Sequence, residues 1–114
     1  VGQIIQALDA AGATSEDIIL ATIALPYAYH AAHESHAAYR FQALPEGISA
    51  WGELAALLVE EPAARFLLFD GDYGPRYWPA LSALLQPDQA PSYLRPLWQR
   101  EAPPTVLSQV VTGN

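Results

Sequence analysis

Residues 63–75 read Ala63-Ala64-Arg65-Phe66-Leu67-Leu68-Phe69-Asp70-Gly71-Asp72-Tyr73-Gly74-Pro75. The fold class turns on this stretch. Phe66 to Phe69 is a short unbroken apolar run, which suits a buried strand or the end of a helix equally well. The residues after it have one reading. Asp70, Gly71, Asp72, Gly74 and Pro75 are turn formers, each for its own steric or hydrogen-bonding reason.

The segments on either side carry helical spacing, and they tip the reading. Upstream, Ile4, Ile5, Leu8 and Ala11 mark a first helix over residues 3–11, and Gly12 suits its end. Thr14 with Asp17 reads as a shortened capping box for a second helix, residues 15–25, which meets Pro26. Residues 27–44 are Ala-rich and periodic up to Pro45 and Gly47. A third helix spans Ile48 to Glu60, with Ser49 as an alternative cap. Downstream, Tyr77, Trp78, Leu81, Leu84 and Leu85 form the core-facing stripe of a fourth helix. Ser92 caps a fifth, striped by Tyr93, Leu94, Leu97 and Trp98. Residues 105–111 read as one more helical piece or an edge strand.

The predicted fold is therefore all-α: a compact helical array of about five short helices broken by prolines, in a single domain over residues 1–114. The alternative is α+β, with one or two short strands at 65–69 and 106–111.

Composition excludes several function classes. The chain has 114 residues, 52% hydrophobic and 15% charged, which is too apolar for intrinsic disorder and long enough for a core. Its net charge is -7, and all five of its cations are arginine. Nucleic-acid binding draws its affinity from cations on phosphates, so this balance argues against it. The opening helix-turn-helix pattern does not rescue that reading, because Glu16 and Asp17 would meet the phosphates. Cysteine is absent, so there is no disulfide, thiolate zinc site or thiol nucleophile. No apolar run approaches the roughly 18 residues of a membrane span. Residue 1 is not methionine, and none occurs elsewhere, so the chain reads as a processed form, a trimmed fragment or an excised domain. The start lacks a basic leader region, so the compartment is cytoplasmic unless a signal peptide has been removed. Abundant Ala without Lys is a compositional habit of GC-rich bacterial genomes.

Three constellations invite chemistry. On a helix, His30, His33 and Glu34 share one face, the kind of cluster that holds a transition metal in a helical bundle. The order is neither H-E-x-x-H nor its reverse, and such a site needs a further ligand from another element. The Asp70-Gly71-Asp72 turn fails the EF-hand pattern, since Pro75 and Leu81 stand where Gly and Glu are needed. Its carboxylates are read as bonding backbone amides instead. Lastly, Tyr73, Arg76, Tyr77, Tyr93 and Arg95 are the residue types enriched at interface hot spots. They form the candidate partner-binding surface.

No nucleophile elbow, phosphate loop or dinucleotide fingerprint occurs, and a lysine Schiff base is excluded. The reading is a non-catalytic protein–protein interaction domain, an adaptor, assembly subunit or small inhibitor that uses an exposed Tyr/Arg turn, with no cofactor. Its partner is a protein or a larger assembly, and a homo-oligomer stays open. Two alternatives stand beside it. One is a metal-binding helical protein, or metalloenzyme, using His30, His33 and Glu34. The other is a small-molecule binder with a pocket lined by Tyr27, Tyr29, Phe41 and Trp51.

Overall fold

A computed structural model describes residues 2–22, 39–101 and 104–111. It overturns the all-α expectation. The centre of the molecule is a five-stranded mixed sheet, and no helical bundle is present among the described residues. The strands are β1 (Ile18–Ala21), β2 (Arg40–Ala43), β3 (Ala64–Asp70), β4 (Leu94–Glu101) and β5 (Pro104–Val110), in spatial order β2-β1-β3-β5-β4. The apolar run 66–69 is thus strand. Residues 106–111 also contribute one, but it is an inner strand, and even one or two strands was an undercount.

β1 runs parallel to both β2 and β3, β5 runs antiparallel to β3, and β4 antiparallel to β5. Only β5 opposes the common direction. The "upper" end of the sheet is therefore where β1 and β3 finish. The "lower" end is where β3 and β4 begin and β5 finishes.

The composition of β1 explains why helix prediction failed there. Ile-Ile-Leu-Ala is buried at all four positions. A parallel strand covered on both faces reads as a continuous apolar run, not as an alternation. Its β-branched isoleucines also favour the extended state. Alternate residues feed two cores. Ile18, Leu20, Leu67 and Phe69 face one side, with Leu54 and Leu58 of helix α2 (Trp51–Glu60) and with Trp78, Leu81 and Leu84. Ile19, Ala21, Phe66, Leu68 and Leu107 face the other, under Ile4, Ile5 and Leu8 of helix α1 (Gly2–Ala10).

The Thr14/Asp17 pair, read as a helix cap, closes a turn into β1. Asp17 accepts the Thr14 amide at 2.9 Å, and its own amide donates to the Thr14 carbonyl at 3.1 Å. Gly12, with φ of 82°, ends α1 as its sequence position implied. Ser49 donates its hydroxyl to Glu53 at 2.9 Å, one residue outside the α2 cap at Ala50.

The C-terminal half departs furthest from expectation. Residues 73–85 form a short helix α3 (Tyr73–Tyr77) and a 3₁₀ segment (Pro79–Leu85) instead of one α-helix. The predicted fifth helix is strand β4. Pro96 is tolerated there because β4 is an edge strand, where a missing backbone N–H is harmless. Among the described residues, no helix is long and apolar enough to cross a membrane.

Candidate functional site at the upper end of the sheet

In an open parallel sheet, ligands gather outside the carboxyl ends of the strands, where the strand order changes direction. Here that point lies between β1 and β3, because the chain moves from β1 outward to β2 and then returns to β3 on the far side. Thr22 stands just beyond β1, and Asp70 is the last residue of β3.

These two side chains close the gap between the strands. The Thr22 hydroxyl donates to Asp70 Oδ1, and Thr22 Oγ1 accepts the Asp70 amide at 2.9 Å. The other carboxylate oxygen, Oδ2, accepts the amides of Asp72 at 3.0 Å and Tyr73 at 2.8 Å. Asp70 is buried, and its carboxylate accepts three donors, one on Oδ1 and two on Oδ2. Asp70 thus bonds backbone amides, as the turn reading had it, and it anchors the start of α3. Asp72, the formal cap residue, makes no side-chain capping bond.

Packing fixes α3 from below. Gly74 is buried, and a Cβ there would overlap the ring of Phe69. At Gly71, a Cβ would lie 2.8 Å from the Pro104 carbonyl oxygen, whose bond to the Gly71 amide ties the turn to β5. Trp78 is buried and donates its indole N–H to the Pro45 carbonyl at 2.9 Å.

On this base the outward face of α3 is aromatic and cationic. Tyr73 and Tyr77 are 42% and 52% exposed, and their rings stack at 6.2 Å with only 10° between planes. The Tyr77 ring also meets the buried Trp78 edge-on at 6.1 Å. Arg76 is exposed between them and forms no ion pair with any described residue.

The five residues proposed from sequence as one surface are divided by the sheet. Tyr73, Arg76 and Tyr77 sit together at the upper end. Tyr93 and Arg95 lie at the lower end, about 20 Å away by the length of a seven-residue strand. Tyr93 is half-buried and donates its hydroxyl to the Trp51 carbonyl at 2.9 Å. Burial raises its pKa above the ordinary value. Arg95 donates to the Gln109 side chain across the β4–β5 pair.

His30, His33 and Glu34, the proposed metal ligands, lie outside the described residues, as do Tyr27 and Tyr29. Among the described residues, no group of three His, Asp or Glu side chains stands close enough to hold a metal. Phe41 and Trp51, the remaining residues of the suggested small-molecule pocket, pack on opposite faces of the sheet and do not line one cavity. Sequence reasoning missed Thr22. Its only signal was its place immediately after the apolar run 18–21.

No family model, curated protein or solved structure matches the chain.

Proposed function

We propose that this chain is a non-catalytic protein-binding domain whose partner docks on α3 and the turn before it. The observation that carries the reading is the pair of stacked, half-exposed tyrosines flanking an exposed arginine that forms no ion pair among the described residues, on a rigid base. Side chains that are fixed before binding lose little entropy on association. Tyrosine offers a large contact area for two torsions, and Arg76 brings five donors for carboxylate or carbonyl groups. The complementary partner segment presents an apolar or aromatic anchor beside a carboxylate.

The test compares affinity capture by the native chain, by Tyr73→Ala/Tyr77→Ala and by the lower-end control Val59→Ser. Hot-spot truncations cost about 2 kcal/mol or more, roughly thirtyfold in affinity. The expected result is a protein retained by the native chain and the control and lost by the double variant. Equal recovery by all three would sink the reading.

A further inference from the structure

The α1 face of the sheet carries a second, chemically different feature at its lower end. Between α1 and the first half of β4 lies a recess of about 370 Å³, lined by Ala7, Ala10, Ala11, Arg95, Leu97 and Gln109. That volume is at the small end of the roughly 300–1,000 Å³ range of small-molecule sites. Its origin is in the sequence. Positions 7, 10 and 11 share one side of the helix, and alanine there brings no long side chain to fill the space over β4.

Strand register puts the polar lining on this same face. Leu107 packs beneath α1, so Gln109, two residues further along β5, faces that side as well. Arg95 is its cross-strand partner and donates to the Gln109 amide oxygen. The other guanidinium N–H groups and the Gln109 NH₂ group are further donors at the same place. No acid lines the recess. Asp9 lies about 200° around the helix from Ala7 and accepts the Tyr39 hydroxyl. Asp17 is paired with Arg65, and neither of them lines the recess. The carbonyls that end α1 do not claim Arg95 either. Those of Ala7, Leu8 and Asp9 accept the amides of Ala11, Ala13 and Gly12. Arg95 therefore sets a positive charge beside an apolar wall, in a chain of net charge -7.

We propose that this recess binds a free carboxylate with a compact apolar body, an aryl-acetate or a short branched acid. The carboxylate meets the planar donor fork of Arg95 and the Gln109 NH₂ group, a geometry that suits two-point contact. The apolar body lies against Leu97 and the three alanines. Its size follows from the helix. Residues 7–11 rise by about 6 Å, room for a ring and not for an extended chain. The site is at the opposite end of the sheet from the α3 surface and independent of what docks there.

Phenylacetate is the probe, followed by titration calorimetry and by amide chemical shifts of the isotope-labelled chain. Saturable one-to-one binding is expected, with the largest shifts at residues 7–11, 95–97 and 109. Phenylacetamide keeps the shape and loses the charge, and Arg95→Gln removes the cation. Each change should weaken binding about tenfold or more. Acetate, which lacks the ring, should lose at least as much. Ala10→Glu brings a carboxylate into the recess with Arg95 intact, and it should weaken phenylacetate about tenfold. Positions 10 and 95 are both exposed, so the melting temperature of each variant should stay close to that of the native chain. Phenylacetamide or acetate binding as tightly as phenylacetate would overturn the proposal. So would unchanged affinity in Arg95→Gln, shifts centred on Val59 and Val111 on the α2 side, or absence of saturable binding.

Discussion

The Thr22 hydroxyl donates to the Asp70 carboxylate and accepts the Asp70 amide, and the two bonds hold the ends of two parallel strands together. The same carboxylate then organises the turn that follows through the amides of Asp72 and Tyr73. One buried acid therefore links the sheet to the surface proposed to bind a partner. Asp70→Ala would leave three donors unsatisfied, and hydrogen bonds to a charged group contribute about 1.5–3 kcal/mol each at most sites. A loss of about 3 kcal/mol is expected in urea denaturation, with partner binding weakened beyond what Tyr73→Ala alone produces. Thr22→Val should cost about 1–2 kcal/mol by removing one donor and one acceptor. Full stability in both variants would mean that the pair is incidental.

The buried glycine of α3 yields a separate prediction. A methyl at position 74 meets the Phe69 ring, which lies in the core and has little room to retreat. Overpacking of this kind costs about 1–3 kcal/mol. Gly74→Ala should lower the denaturation midpoint accordingly. It should also change the near-ultraviolet signal of Tyr73, Tyr77 and Trp78, since α3 is the element able to move. Substituting Gly52, whose added Cβ meets nothing within 4 Å, should cost nothing comparable.

What the sequence disclosed, and what it hid, follows from the kind of signal involved. Helices α1 and α2 were legible because each buries one stripe, and the 3.6-residue period survives in the pattern. The turn at 70–75 was legible because its Asp and Gly residues have local steric causes. β1 was hidden because a central parallel strand shows no alternation at all. Thr14 and Asp17 deepened the error, since the side-chain bond that caps a helix also closes a turn. In β4 the spacing of Leu94, Leu97 and Trp98 imitates a helical stripe, and part of that imitation comes from the register break between Pro96 and Trp98. Pro96 at the centre of the supposed helix was the contrary signal, because proline there costs roughly 3 kcal/mol. The scattering of Tyr93 and Arg95 away from Tyr73 was not legible, because residue types do not reveal the direction in which a strand returns.

Trp78 was legible as a core residue, and its prediction is the steepest. Its ring closes the core beneath α3 and its N–H satisfies the Pro45 carbonyl. Trp78→Ala should destabilise the chain by about 3–5 kcal/mol, enough to unfold a marginal domain. Trp78→Phe keeps most of the packing and loses the hydrogen bond, so about 1 kcal/mol is expected from that term. Comparable losses in the two variants would assign the contribution to the hydrogen bond instead of the ring. The readout is the chemical denaturation midpoint, with Tyr73→Ala as a surface control that stays within about 0.5 kcal/mol of the native chain.

Alkaline pH supplies a test of the packing between α1 and β2. The Tyr39 hydroxyl donates to the Asp9 carboxylate, and the ring is buried under α1. Burial, the bond to Asp9 and the nearby negative charges of Asp9 and Asp17 push its pKa from 10.0 up to about 12. The folded state therefore holds the phenolic proton more tightly than the unfolded chain. By linkage, that contribution is complete below pH 10 and is lost as the pH rises through about 12. Tyr39→Phe keeps the ring and removes the titrating group. The stability difference between the native chain and Tyr39→Phe, measured by urea denaturation, should be constant from pH 7 to about 9. It should then move steadily against the native chain as the pH approaches 12. Phenolate absorbance at 295 nm should show Tyr39 ionising late, beside Tyr93, whose pKa burial also raises, and the Tyr39 contribution should vanish in the variant. A difference that stays flat across the alkaline range would mean that Tyr39 ionises as readily in the folded state as in the unfolded one.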